Sequence, residues 1–210
     1  MSGERNKAII FDFDGTIADS FPTALRIVHD LFGWHLSQDD VSRLRGMKTL
    51  QILRELHIPL WRAPFLAAKV RRRMIAQMDQ IPIIPGLDQT VKLLAREYKL
   101  FVVSTNSAAN VQAFLRRFDI DTAFVALCGG ALPWNKARML KRLLRAQLLQ
   151  KADTWYVGDT DMDIAAAHRA GIRAVAVAWG YSNIHILEQH HPEALVFTGE
   201  ELEQHFRDQR

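Results

Sequence analysis

Cysteine is almost absent from this 210-residue chain: Cys128 stands alone, so no disulfide can close within it and packing must hold the fold. The lone thiol follows Val125, Ala126 and Leu127, which reads as a buried group near a strand end and suits a reducing compartment. Long apolar runs are missing too. Nothing approaches the ~20 residues that a membrane helix requires. Residues 1–7 are polar, and the apolar run after them is too short for a signal sequence, so a soluble, cytoplasmic protein with no membrane partner is expected. Internal repeats and low-complexity tracts are also lacking, which excludes solenoids and linker-like chains.

What is present describes a globular protein. Hydrophobic residues make up 49% and charged residues 24%, close to the average for soluble domains, and the length allows one large domain or one domain with a smaller insert. A net charge of +4 favours anionic partners: a phosphorylated metabolite, an acidic protein or nucleic acid. The densest basic run, Arg71, Arg72 and Arg73, falls in a helical pattern, where consecutive side chains splay about 100° apart. It reads as a solvated helix face, and no nucleic-acid partner is expected.

Short apolar runs at residues 8–13, 100–103, 123–127, 155–157 and 174–178 alternate with stretches of helical periodicity. That alternation predicts an α/β fold, a doubly wound parallel sheet with a Rossmann-like core. About 85 residues separate the first two runs, far more than the ≥10–12 of a simple crossover. The intervening segment carries apolar positions at helical spacing (Leu50, Leu53 and Leu56; Phe65, Ala68 and Ala76) and no convincing strand, so it is expected to be a helical insert. Pro22 suits the first turn of its first helix, and Ile81-Pro82-Ile83-Ile84-Pro85-Gly86 reads as its closing hinge. The expected division is a core of residues 1–18 and 85–210 with a cap of residues 19–84. Trp34, Trp61 and Phe65 are expected in the cap's own core.

The densest chemistry is Asp12-Phe13-Asp14-Gly15-Thr16, where the first strand meets a loop. Open parallel sheets place ligand crevices at such strand ends. Alternation points Asp12 and Asp14 to one side and Phe13 into the core, with the direction of Asp14 left open by the loop. Crowded carboxylates need a cation or a shared proton between them. A hard divalent ion, magnesium above all, would meet that need with oxygen ligands, while Asp14 exchanged protons with a leaving oxygen and with water. Val157-Gly158-Asp159-Thr160-Asp161-Met162-Asp163 repeats the design at a later strand end. Asp159 and Asp163 are its metal candidates, and Asp161 is equally a helix cap.

Two further segments suit a phosphate. Ser104-Thr105-Asn106-Ser107 puts hydroxyls and backbone N–H groups between a strand and a helix, although capping alone would use one of them. Lys136 opens a helix, where a cation opposes the dipole and makes better sense beside a bound anion. Arg45-Gly46-Met47-Lys48 is a candidate substrate-facing loop, but a helix end with a C-terminal glycine and ordinary basic neighbours is the preferred reading. His185, His190 and His191 lack metal-binding spacing and read as surface helix termini.

In content and order these segments resemble the haloacid-dehalogenase-like superfamily, and within it the phosphatase branch. The first motif matches Asp12 to Thr16, the second Ser104 or, one position on, Thr105. The third matches Lys136, followed here by Ala137 where the family commonly has proline, and the fourth Gly158-Asp159 with Asp163. The resemblance covers nearly the whole chain, the helical insert corresponding to the family's cap. It implies that Asp12 becomes phosphorylated, that Asp14 is the general acid and base, and that Ser104 and Lys136 hold the phosphoryl group. Magnesium would be held by Asp12, the Asp14 carbonyl, Asp159 and Asp163. An acid at position 14 separates phosphatases from dehalogenases of the superfamily. Asp14-Gly15-Thr16-Ile17-Ala18-Asp19-Ser20 and Trp179-Gly180-Tyr181 resemble the phosphoglycolate-phosphatase-like branch. The expected activity is magnesium-dependent hydrolysis of a small phosphate monoester. A phosphosugar mutase using the same aspartyl phosphate, or a regulatory module that has lost turnover, is the alternative.

Overall fold

The computed structural model describes residues 7–35, 37–45, 47, 51, 54–55, 57–130 and 135–209. Six parallel strands form one sheet: β1 (Ala8–Phe11), β2 (Lys99–Val103), β3 (Phe124–Cys128), β4 (Thr154–Gly158), β5 (Arg173–Val177) and β6 (Ala194–Val196). Their order is β3-β2-β1-β4-β5-β6. This is the doubly wound α/β arrangement that the alternation of strand and helix predicts. The added strand, β6, has only three residues, too few to show a period in the sequence.

The period of two along each strand divides the core between the two faces of the sheet. Ile9 and Phe11 of β1, with Leu100, Val102, Trp155, Val157, Val175 and Val177, face one layer of helices. That layer contains α4 (Leu87–Leu94), α5 (Ala108–Arg117) and α9 (Gly199–Asp208). Ala8 and Ile10, with Phe101, Val103, Tyr156, Ala174 and Ala176, face α6 (Lys136–Ala146) and α7 (Asp161–Ala170). A short α8 (Ile184–Glu188) adds Leu187 to the second face. Phe13, fully buried, meets the Phe114 ring edge-on at 5.0 Å, which anchors the loop after β1 to α5.

Between β1 and α4 the described residues form α1 (Phe21–Phe32), α2 (Gln38–Arg45) and α3 (Ala63–Ala76). Pro22 lies in the first turn of α1, and Gly33 ends the helix with a left-handed φ of 66°. The two chain crossings into and out of this segment lie side by side. Ala18 bridges Ile83 in antiparallel fashion, Asp19 donates its N–H to the Pro82 carbonyl, and Ile84 donates to Ile17. Pro82 of the second crossing thus pairs with the first.

Trp61 and Phe65 correct the sequence reading: they are 65% and 73% exposed, not packed in a cap core. Among the described residues, α3 packs through one face only, with Val70, Met74 and the neighbouring turn at Met78 against the core. Trp34 is half-buried and lies against Phe32, with ring centroids 5.0 Å apart. Leu50, Leu53, Leu56, Gly46 and Lys48, used in the sequence reading, lie outside the described residues. Cys128 ends β3 and is half-buried, and burial pushes its thiol pKa up. Among the described residues no helix is long and apolar enough to cross a membrane.

Phe206 has no exposed surface and packs edge-on against Tyr98 and Trp155, at 5.4 and 5.7 Å between centroids. Phe206→Ala is expected to cost about 3–5 kcal/mol. Urea unfolding should show a lower midpoint at unchanged slope; an unchanged midpoint would refute this account of how α9 is held.

Candidate active site

In the strand order, β1 stands where the winding reverses: the chain builds one half of the sheet outward through β2 and β3, and the other through β4, β5 and β6. Ligand crevices open at the carboxyl ends of strands at such a switch point. Asp12 follows β1 there and Asp159 follows β4. Asp12 is fixed by its N–H donating to the Val157 carbonyl at 2.8 Å.

Lys136, the first residue of α6, is buried with its ammonium 2.9 Å from Asp12 and 2.6 Å from Asp163. The helix dipole disfavours a cation at that position, and burial alone would lower its pKa. The charges of Asp12 and Asp163 overcome burial and hold Lys136 well above the ordinary lysine value. Asp12, Asp159 and Asp163 are all buried, and one carboxylate oxygen from each lies within 4.8 Å of the others. Three carboxylates around one ammonium leave the cluster with excess negative charge. Burial first, with the other acids adding to it, pushes Asp12 well up and Asp159 up to about 7. An all-oxygen, net anionic donor set of this kind fits a hard divalent cation.

Asp163 shows why sequence could not assign the helix cap. Thr160, not Asp161, caps α7: its hydroxyl accepts from the Asp163 N–H, and Asp163 accepts in return from the Thr160 N–H at 3.1 Å. The capping box orients one Asp163 oxygen and leaves the other for Lys136. Asp159 is held as firmly. Its oxygens accept from the Thr16 hydroxyl at 3.0 Å and the Tyr181 N–H at 2.7 Å. Two glycines permit this closeness: a Cβ on Gly180 would fall 2.2 Å from Asp159, and one on Gly15, at a φ of 80°, would fall 2.4 Å from it.

The Asp14 carboxylate lies outside the three-acid group. One oxygen accepts from the Asn106 side-chain amide at 3.4 Å, and the other is buried without a partner among the described residues. Burial raises its pKa, against the pull of Asn106, Lys136 and Ser20. Ser20 shares a hydrogen bond of 3.1 Å with the Tyr181 hydroxyl, so the residues around Asp14 and Asp159 are tied together. At the tip of β2, Ser104 is buried and its hydroxyl accepts the Asn106 N–H at 2.9 Å, while Thr105 is half-buried.

Sequence reasoning missed Thr16, Asn106, Ser20 and Tyr181 as site residues. All four sit inside motifs that were visible, but their partners are about 90 or more positions away, beyond any periodic signal. Two arginines of the insert also reach the core. Arg45 donates to the Gly180 carbonyl and lies over the Phe21 ring at 4.9 Å, and Arg71 donates to the Thr105 carbonyl. All three arginines of the run are exposed as expected, Arg72 and Arg73 lining a surface groove and Arg71 reaching from the same helix to the Thr105 carbonyl. His185 and His191 are exposed at the ends of α8 and beyond it, and His190 is half-buried, 4.0 Å from Asp161.

Fold and site define a parallel α/β enzyme whose switch point carries an acidic centre balanced by one lysine. The chain belongs to the haloacid dehalogenase-like hydrolase family, whose model matches residues 9–177. It is 33% identical, over 93% of its length and 95% of the relative's, to a phosphoglycolate phosphatase of Synechococcus elongatus. A phosphoglycolate phosphatase of Chromobacterium violaceum is 29% identical over 87% of this chain and 90% of its own. A haloacid dehalogenase-like hydrolase structure from Streptococcus pneumoniae superposes with a TM-score of 0.77 at 21% identity, covering 95% of this chain and 98% of the other.

Asp159 gives the site a signature in pH. Its pKa rises from an ordinary value of 3.8 to about 7, so the folded state prefers its neutral form. That contribution to stability is complete below the unfolded value and is lost as pH rises through about 7. In EDTA the melting temperature should therefore fall between about pH 5 and about pH 8, and an added divalent cation should raise it more at the upper pH. A cation effect that is larger at the lower pH would overturn this assignment.

Proposed function

We propose that this protein hydrolyses a small phosphate monoester, in the manner of a phosphoglycolate phosphatase, with Asp12 as nucleophile. The observation that carries the reading is the buried Asp12–Lys136–Asp163 chain at the switch point of the sheet, with Asp159 alongside and Asp14 held apart. The names borne by the relatives at 33% and 29% identity support the substrate class.

In this reading an Asp12 oxygen attacks phosphorus, the bond from phosphorus to the ester oxygen breaks, and Asp14 gives its proton to that oxygen. The raised pKa of Asp14 favours the protonated form that this step needs. Asp14, now ionised, takes a proton from water, which attacks the aspartyl phosphate and releases inorganic phosphate and free Asp12. Lys136 and the Ser104 or Thr105 hydroxyl and N–H groups would hold the phosphoryl oxygens, where negative charge must be stabilised. Ser104 is the better placed of the two for that role by its burial at the strand tip.

Asp12, Asp159, Asp163 and the Asp14 carbonyl would hold magnesium, which when bound neutralises charge on the acids and on the phosphate. Asp163 also orients Lys136, since its two oxygens are divided between that ammonium and the Thr160 cap. Residues 19–84 would act as a cap over a core of residues 1–18 and 85–210, excluding water while Asp12 carries the phosphoryl group. Its partner is a small phosphorylated metabolite, neither nucleic acid nor membrane, in the cytoplasm.

The test is phosphate release from 2-phosphoglycolate, 4-nitrophenyl phosphate, sugar phosphates and nucleotides, with magnesium and with EDTA. Magnesium-dependent release, with 2-phosphoglycolate preferred, is the expected result. Asp12→Asn should lower turnover at least about 10³-fold while the far-UV spectrum stays unchanged. Full activity in that variant, or release unaffected by EDTA, would sink the mechanism.

A further inference from the structure

Of the three consecutive exposed arginines on α3, Arg71 is the one whose guanidinium bonds to the core among the described residues. Its guanidinium crosses from the insert to the tip of β2 and donates to the Thr105 carbonyl. That contact leaves the side chain chemically underused. A guanidinium presents five donors in a planar fork that matches a carboxylate with two parallel hydrogen bonds, whereas a single carbonyl takes up one. Arg43, Arg116 and Arg207 each meet an acidic side chain, but no carboxylate among the described residues pairs with Arg71.

The position of Arg71 relative to the reacting groups is informative. An in-line displacement puts the leaving oxygen opposite the attacking Asp12 oxygen, and Asp14 must reach it to supply a proton. Whatever hangs from that oxygen therefore lies on the Asp14 side of the site. Arg71 is near that side: the carbonyl it bonds belongs to Thr105, the neighbour of Asn106, whose side-chain amide donates to Asp14 at 3.4 Å. Arg45 lies elsewhere. It bonds Gly180, next to the Tyr181 N–H that holds Asp159, and the charge it senses is that of Asp159.

We infer that Arg71 is the specificity residue for the leaving group, exchanging the Thr105 carbonyl for a carboxylate carried one carbon beyond the ester oxygen. The substrates it selects are phosphate monoesters of short hydroxy acids. This rests on the phosphatase reading above and adds a recognition element to it. Because Arg71 stands on α3, the same contact draws the insert onto the β2 tip when such a substrate is bound. Selection and exclusion of water are thereby coupled.

The experiment compares kcat and KM for 2-phosphoglycolate and for ethyl phosphate, which lacks the carboxylate, in the full-length magnesium-loaded protein and its Arg71→Ala and Arg71→Lys variants. With the charge-assisted hydrogen bonds to the carboxylate lost, the kcat/KM ratio of the two esters should fall at least about tenfold in Arg71→Ala. Most of that change should be in KM. Arg71→Lys should restore only part of the preference, and guanidinium ion in solution should partly rescue Arg71→Ala on 2-phosphoglycolate alone. A wild type that prefers 2-phosphoglycolate and keeps its preference in Arg71→Ala would overturn the role of Arg71 and leave the phosphatase reading standing. A wild type that hydrolyses both esters equally would do the same. A wild type that hydrolyses neither would overturn both.

Discussion

The ammonium of Lys136 lies between Asp12 and Asp163, at 2.9 and 2.6 Å, with all three side chains withdrawn from water. Removing one partner from such a buried set leaves an uncompensated charge, which is far costlier than losing a surface pair. The end of β1, the start of α6 and the first turn of α7 must therefore meet, although more than a hundred positions separate the first from the last. Each element is aimed by a local device. The β1 ladder fixes Asp12, the capping box fixes Asp163, and the buried faces of α6 and α7 fix how closely the two helices approach.

The same constraint leaves the site poised for chemistry. One ammonium cannot neutralise three carboxylates, and the residual charge is stored in raised pKa values at Asp12 and Asp159. A divalent cation or an incoming phosphate group changes that balance, so affinity, stability and pH are linked at one point in the molecule. Asp14 escapes the linkage in part because its side chain turns to Asn106 and away from the triad. Two carboxylates only two positions apart thus occupy different environments, which is how one short loop can carry two chemical roles.

Among the described residues, the insert meets this centre at its root and through side chains that cross to the core. The paired crossings at Ala18 and Ile83 tie down its root, and Arg45 and Arg71 reach main-chain carbonyls on either side of the acids. Carbonyl partners are weaker and more readily exchanged than carboxylates would be. Bonds of this kind can be exchanged for others without breaking an ion pair.

The strand pattern, the acids at two strand ends and the lysine opening a helix were legible in the chain itself, because local periodicity and strand-to-helix junctions are short-range properties. They sufficed for the fold class, and four of the residues they singled out, Asp12, Asp159, Asp163 and Lys136, lie together in the structure. Tertiary structure alone decided that Thr160 rather than Asp161 caps α7, that Asp14 stands apart from the other acids, and that Trp61 and Phe65 are exposed. It also decided that Arg71, one of three adjacent exposed arginines, reaches the Thr105 carbonyl. Each of these depends on a partner brought near by folding, or on the absence of one, and a sequence records the side chain but not the distance to its partner.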